Sequence, residues 1–243
     1  DVGRATQGAA KSILGKAYLT QKDYVTAEDK LKEVTTLGYS LLPVYNDLWD
    51  YTKNEHHSEY IFDIEFESGQ GYGSNLTNNH MPQEATLQAF FKIAGGGGSD
   101  LCPSDSLLSL KNELFKTGDK RRDRSVANGF TNANGVFVPL PVTGLRRSFT
   151  MKYTCAVPTG GDSPANFKVV RYADVLLMLA EALNENDKTT EALTYLNMVR
   201  TRAGGPTYSG LTKSTTRTRI WLERRLELCF EGHRWFDMLR TDQ

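Results

Sequence analysis

The stretch that decides the fold is R-Y-A-D-V-L-L-M-L-A-E-A-L-N-E-N-D-K-T-T-E-A-L-T-Y-L-N-M-V-R-T-R-A-G, residues 171–204. Apolar side chains recur every three or four residues on both sides of a polar turn, and Gly204 follows the last of them. This spacing is typical of amphipathic helices, and a glycine directly after the last turn is a common helix terminator. The sequence therefore predicts two helices joined by a short turn.

The same pattern occurs 165 residues earlier, near the start of the chain. Aligned without a gap, the two segments pair Leu14 with Leu179, Ala17 with Ala182, Ala27 with Ala192, Leu31 with Leu196 and Val34 with Val199. Helical hairpins of about 34 residues with small residues at close approaches are characteristic of tetratricopeptide-like repeats. We expect the small residues at 17 and 27 to lie at helix contacts. The core stripe of the first helix is expected to be Ala10, Ile13, Leu14, Ala17 and Tyr18.

A third helical stretch runs from Thr216 to Arg240, and Gly232 is expected to bend or break it. Between the hairpins the period changes to two, which predicts short strands at Tyr60–Phe66 and Phe149–Tyr153. The rest of this insertion is rich in Gly, Asn, Ser and Pro. The sequence predicts a mainly α fold in one domain, with a first hairpin at 1–38, a loop-rich insertion at 39–170, and a second hairpin and C-terminal helices at 171–243.

Composition excludes several classes of function. The chain has 243 residues with 29 Lys and Arg against 29 Asp and Glu, so no overall field favours nucleic acid. The four histidines and three cysteines show no spacing for a metal, and no cofactor motif is present.

Gly95–Ser99 lacks the Lys-Ser/Thr of a phosphate loop and is interpreted as a flexible loop tip. Cys102 and Cys155 could pair in an oxidising compartment, whereas Cys229 is expected in the core.

Two groups of residues are candidates for catalysis. His233 and Asp237 are four residues apart on a helix and could act as a base and its orienting acid, but no nucleophile accompanies them. A glycoside hydrolase would need two carboxylates, for which Asp63 with Glu65 or Glu231 with Asp237 are candidates. An outward polar strand face and a buried helix end, respectively, explain the same residues without catalysis.

Loop residues suggest carbohydrate binding instead. Tyr72 lies among neutral hydrogen-bonding side chains, a combination that suits sugars because ring faces contact C–H groups while amides bind hydroxyls. Solvated loop polarity is the competing interpretation. The residues expected to contact a ligand are Tyr72, Asn75, Asn79 and His80, with Phe130 and Tyr153 as further candidates.

Several motifs resemble the C-terminal part of the SusD/RagB family of outer-membrane nutrient-binding lipoproteins. W-L-E-R-R-L-E-L-C-F-E-G-H-R-W-F-D-M-L-R at 221–240 is similar to the family's E-R-R-x-E-L-x-F-E-G-x-R-W-F-D-L-x-R. R-Y-A-D-V-L-L-M-L-A-E-A at 171–182 and L-N-M-V-R-T-R-A-G at 196–204 also match family segments, as do E-Y-I-F at 59–62 and G-D-K-R-R at 118–122.

The resemblance implies a tetratricopeptide-like fold that binds a glycan or peptide without catalysis and without a cofactor. It implies an outward-facing protein of the outer membrane, anchored by a lipid on a segment outside this chain and associated with a SusC-like TonB-dependent transporter. A repeat scaffold that binds a peptide or partner protein remains the alternative, with a glycoside hydrolase third. The resemblance also implies that shared charged residues link helices: Arg171, Glu181, Arg200, Glu223, Arg225, Glu227, Arg234 and Asp237.

Overall fold

The computed structural model describes residues 4–52, 56–104, 107, 118–140 and 148–243. The α-helices among them are α1 (Gln7–Thr20), α2 (Tyr24–Thr35), α3 (Leu76–His80), α4 (Ala85–Phe91), α5 (Arg122–Ser125), α6 (Tyr172–Glu185), α7 (Thr189–Arg202), α8 (Lys213–Glu227) and α9 (Arg234–Thr241). The strands are β1 (Tyr60–Ile64), β2 (Gly129–Thr131), β3 (Phe137–Pro139) and β4 (Phe167–Arg171), and a 3-10 helix spans Tyr45–Trp49. The mainly α class is confirmed.

The chain divides into two compact units. The first, here the helical unit, comprises residues 1–45, 55–63 and 168–243, and the second, the loop unit, comprises 46–54 and 64–167. The predicted hairpins and C-terminal helices therefore belong to one unit, while most of the predicted insertion forms the other.

The sequence repeat corresponds to a structural repeat. Helices α1 and α6 begin and end at positions that differ by 165, and so do the starts of α2 and α7. The turns match as well, because Lys22 and its counterpart Asp187 adopt φ of 63° and 64°. The next residue closes each turn, with Asp23 N–H donating to Tyr18 O at 3.0 Å and Lys188 N–H to Leu183 O at 2.9 Å. The helical hairpins are confirmed.

The buried face of α1 differs from the predicted stripe. Ile13 and Leu14 are 46% and 42% exposed, and Ala17 is exposed too. The buried positions are instead Gly8, Ala9, Ser12, Gly15 and Leu19. The reason is close packing by glycine: a Cβ at Gly15 would lie 2.7 Å from the Leu31 side chain, so only this face of α1 can approach α2 so closely. Ala27, by contrast, is fully buried as predicted.

Helix α6 forms the centre of the helical unit. Every residue from Tyr172 to Asn184 is buried, and the core gathers its apolar side chains with those of α2, α7 and Ile220 of α8. The predicted break between the last two helices is confirmed, since α8 ends at Glu227 and α9 begins at Arg234. Gly232 in this connection has φ of 82°, a conformation that glycine adopts without strain.

A buried cluster of charges joins β1, β4, α7 and α8. The Arg171 guanidinium donates to both carboxylate oxygens of Glu231 at 2.7 and 2.9 Å, to Glu59 at 2.9 Å and to Glu227 at 2.6 Å. Arg202 donates to the same Glu59 and Glu227 carboxylates. Although burial alone would lower it, Glu231 and Glu227 raise the pKa of Arg171 above its ordinary value, so Arg171 stays charged.

Most of the charged residues implied by the resemblance do link helices. Arg240 binds Glu181, Arg200 donates to Glu223 at 2.7 Å, and Asp237 accepts from Arg224 at 3.0 Å. Arg234 differs, because its Nη1 donates to Gln243 Oε1 at 3.1 Å, at the same end of the chain.

The strands are shorter than predicted. β1 pairs with β4. In β1, Ile61 is buried while Phe62 and Ile64 are exposed, so the apolar and polar faces do not separate as the sequence predicts. The strand predicted at 149–153 is reduced to a single bridge between Phe149 and Ala127, because residues 151–153 leave the extended conformation in a turn. Among the described residues, no helix is both long and apolar enough to cross a membrane.

Replacing Arg171 with Met tests the charge cluster. We expect a loss of about 3–5 kcal/mol in the free energy of unfolding, because three buried carboxylates would lose their common partner. Arg217→Met is the matched control: Arg217 is partly exposed and forms an ion pair with Glu185, so a loss of about 1 kcal/mol or less is expected. Urea unfolding of both variants measures this, and equal losses would contradict the prediction.

Candidate functional site

Helix α3 carries three of the predicted ligand residues, and they differ in exposure. Asn75, at its N-cap, is exposed and makes no side-chain capping bond. Asn79 is half-buried, and its carbonyl accepts the Asp100 N–H at 3.0 Å. Only Asn75 therefore presents its side chain fully to solvent.

His80 and Tyr153 are brought together, but inside the loop unit. Their ring centroids lie 4.7 Å apart, and both residues are buried. The His80 Nδ1–H donates to Leu76 O at 2.7 Å, and burial lowers the pKa of His80, so the ring is neutral at pH 7. Both rings pack in the interior, and we leave them out of the binding surface proposed below.

Tyr72 lies on the surface, 70% exposed. Its carbonyl accepts the Glu67 N–H at 3.1 Å, which closes the loop that carries it. The Asp162 carboxylate holds the same loop by accepting from Ser68 Oγ at 2.9 Å and from Gly69 N–H at 2.7 Å. The ring is therefore displayed on an anchored loop.

The glycine run at 95–98 is not the flexible tip that the sequence predicts. Asn78 Nδ2 donates to Ala94 O at 2.9 Å and to Gly96 O at 2.6 Å, while its Oδ1 accepts the Gly161 N–H at 3.1 Å. A Cβ at Gly97 would lie 2.3 Å from Met81 O. The glycines allow the backbone to pack this closely, and Asn78 satisfies the polar groups that such packing buries.

One concave surface of the loop unit that could receive a ligand is an aromatic groove of about 370 Å³. Phe130, another predicted residue, forms its base and is buried. Its ring centroid lies 4.4 Å from that of Phe90 and 6.1 Å from that of Phe91. Phe137, which is 53% exposed, lines the groove as well. The aromatic groove is lined by Phe90, Phe91, Asp123, Ala127, Asn128, Gly129, Phe130, Thr131, Phe137 and Met151.

The groove is built on the hairpin of β2 and β3. Phe130 pairs with Val138 and Thr131 with Phe137, and Asn132 Oδ1 closes the turn by accepting the N–H groups of Asn134 and Val136, each at 3.0 Å. The Phe137 ring covers Gly129, where a Cβ would lie 2.6 Å from its Cζ and 2.3 Å from Val138 O. Glycine at this position therefore allows the ring and the neighbouring strand to approach this closely.

Sequence reasoning identified Phe130 but missed its neighbours. A usable signal was present in the sequence. Asn134-Gly135 lies between the short segments 129–131 and 136–138, each of which contains a phenylalanine, and this is a hairpin pattern. The adjacent rings of Phe90 and Phe91 carried no such signal, since nothing in the sequence indicates that α4 meets this hairpin.

Glu231 and Asp237, one of the two candidate catalytic pairs, are engaged elsewhere. Glu231 is held by Arg171, and Asp237 by Arg224 and Arg240. Although burial raises it, these two arginines lower the pKa of Asp237 below its ordinary value. His233 does not face Asp237 with its ring: Nδ1 lies 2.8 Å from Lys16 Nζ, and burial lowers the pKa of His233. The proposed base and acid are thus not paired.

The cysteines and acidic residues suggest no further chemistry. Cys102, Cys155 and Cys229 are free thiols, so the possible pairing of Cys102 with Cys155 is wrong; Cys102 Sγ donates instead to Ser99 O at 3.3 Å. Cys229 is buried, as predicted. Over the part of the chain that the structure describes, no three His, Cys, Asp or Glu side chains are grouped to hold a metal ion.

Comparison with known proteins agrees with this architecture. Residues 142–243 match the SusD family. SusD-like protein P2 of Formosa agariphila is 28% identical over 97% of this chain and 50% of its own length. By these matches the chain is similar to proteins of the SusD family. A SusD superfamily protein from Parabacteroides distasonis superposes with a TM-score of 0.80 at 26% identity, covering 98% of this chain and 53% of the other.

Another SusD-like structure, described as laminarin binding, has a TM-score of 0.77 and 28% identity. It covers 99% of this chain, which in turn covers 56% of that protein. The chain spans about half the length of the curated SusD-like relatives it matches.

Asn78→Ala tests whether that amide is structural rather than part of a ligand surface. We expect the free energy of unfolding to fall by about 2–4 kcal/mol, since three hydrogen bonds are removed and buried carbonyls are left without donors. Asn75→Ala, an exposed amide three residues earlier, should change stability by no more than about 0.5 kcal/mol. Urea unfolding compares the two. A stable Asn78→Ala variant would mean that the glycine run holds itself in place.

Proposed function

We propose that this chain is part of a SusD-family protein and contributes a glycan-binding surface, and that the aromatic groove of the loop unit is where the sugar binds. The binding is capture without chemical change. The whole protein would be lipid-anchored at the outward face of the outer membrane and would pass the glycan to a SusC-like TonB-dependent transporter, as the similarity to that family supports.

The groove is the observation that carries this proposal. Exposed phenylalanine rings offer flat apolar faces to the C–H groups of a pyranose, and Asn128 and Thr131 at the edge offer neutral donors and acceptors for hydroxyls. A volume of about 370 Å³ is at the small end of ligand sites, so the groove suits a short stretch of a chain that continues into solvent. The laminarin-binding relative supports a glycan as the ligand.

The arrangement of carboxylates supports binding without hydrolysis. A glycosidase needs one carboxylic acid with a raised pKa near the scissile bond. Asp237 has a lowered pKa, and Glu231 lies in the buried charge cluster. We therefore expect pure protein to leave a bound glycan at its original chain length.

Phe137→Ala tests the groove. We expect affinity for the bound glycan to fall about tenfold, because one accessible ring face is removed from the contact, on the order of 1–2 kcal/mol of buried apolar surface. Val136→Ala is the matched control, since Val136 is exposed on the same hairpin but does not line the groove. Affinity electrophoresis against a glycan panel that includes laminarin measures both. Retention of no glycan, with capture of a protein partner instead, would favour the repeat-scaffold alternative.

Tyr72→Ala tests the second exposed ring. We expect weaker retention of a polymeric glycan, because Tyr72 combines a free ring face with a phenolic hydroxyl on an anchored loop. Tyr51, also exposed and in the same unit, is the control position. Equal retention by Tyr72→Ala and Tyr51→Ala would remove Tyr72 from the binding surface.

A further inference from the structure

The described residues that line the aromatic groove carry almost no charge. Of these ten residues, one ionises at neutral pH, and that residue is Asp123. Its side chain is 95% exposed, at the edge of the groove. No lysine, arginine or histidine is among the described residues that line the groove.

The cationic residues next to Asp123 in sequence are held in other contacts. Arg121 is buried and binds the Asp119 carboxylate through Nε at 3.1 Å and Nη2 at 2.8 Å. Arg124 donates from Nη1 to Met151 O at 3.1 Å. Arg122 Nε lies 3.9 Å from Asp123 itself. Arginine forks and lysines are the side chains that pair directly with carboxylate and sulfate groups. Arg121 and Arg124 are held by groups outside the groove lining or by backbone, and Arg122 pairs with the Asp123 carboxylate itself.

The rings add to the same preference. The face of a phenylalanine ring carries negative partial charge, which attracts the slightly positive C–H groups of a sugar and disfavours an anion. Phenylalanine also has no N–H or O–H that could donate to an anionic group. Asn128 and Thr131 remain as hydrogen-bonding partners, and both are neutral.

From these observations we infer that the groove selects neutral glycans and discriminates against chains that carry carboxylate or sulfate groups. The inference rests on the proposed glycan-binding function and specifies its substrate class. An anionic chain would lose solvation at the ring faces, find no cation lining the groove and meet the Asp123 carboxylate at its edge.

The test compares one glycan backbone in two charge states. Neutral polysaccharides (laminarin, mixed-linkage β-glucan, xyloglucan and galactomannan) are screened by affinity electrophoresis, and each one bound is compared with its sulfated and its C6-oxidised derivative. We expect the charged derivatives to bind at least about tenfold more weakly, with little dependence of neutral binding on salt. Alginate and polygalacturonate should not be retained.

Asp123→Lys assigns the preference to the groove. We expect the ratio of neutral to sulfated affinity to shrink severalfold in this variant, because an attractive charge replaces a repulsive one. Asp100→Asn, an exposed carboxylate of the same unit outside the groove lining, should leave the ratio as it is. An unchanged ratio in Asp123→Lys would overturn the inference.

The outcomes separate the two proposals. Equal or tighter binding of the anionic derivative overturns the inference, while loss of that binding in Phe137→Ala would still support the groove as the glycan site. Retention of no polysaccharide in either charge state overturns the proposed function and the inference with it.

Discussion

The fold depends on keeping the two ends of a long insertion together. Residue 59 lies just before β1, and residue 171 ends β4. Between them the chain leaves the helical unit after residue 63 and returns to it at residue 168. The Glu59 carboxylate accepts from Arg171 at 2.9 Å, and the Glu59 carbonyl accepts the Tyr172 N–H at 2.8 Å. Closing a long loop costs little more than closing a short one once its ends are fixed. The buried charge cluster therefore holds together, within the helical unit, the two ends of an insertion of about a hundred residues.

Within the loop unit, several polar side chains form hydrogen bonds with backbone groups of the unit itself. Long connections bury N–H and C=O groups that no helix or sheet satisfies. Asn78 bonds three such groups, Asp162 holds the Tyr72 loop, and Thr77 Oγ1 donates to Tyr153 O at 2.6 Å. A segment rich in Asn, Ser and Thr is thus as characteristic of a self-supporting loop as of a sugar site. Exposure, which the sequence does not show, separates the two.

What could be predicted follows from the range of the interactions involved. The helical hairpins, their turns and the break at Gly232 depend on local periodicity and on single glycines, so the sequence was sufficient. The prediction of the buried face of α1 was wrong because it followed the bulky side chains. The close contact of α1 with Leu31 is possible only over Gly15. The aromatic groove could not be assembled at all. Its rings at 90, 130 and 137 come from segments whose meeting is a property of the tertiary fold.

The distribution of charge explains why recognition is left to so few side chains. In the helical unit, several arginines and carboxylates form buried ion pairs. Removing one member of such a pair leaves a buried charge without its partner. The groove has the opposite character: Phe137, Asp123 and Thr131 are exposed, and their replacement costs the fold little, because exposed positions rarely change stability by more than about 0.5 kcal/mol. We therefore expect substitutions of exposed residues in the proposed groove to alter ligand binding while the helical unit keeps its stability.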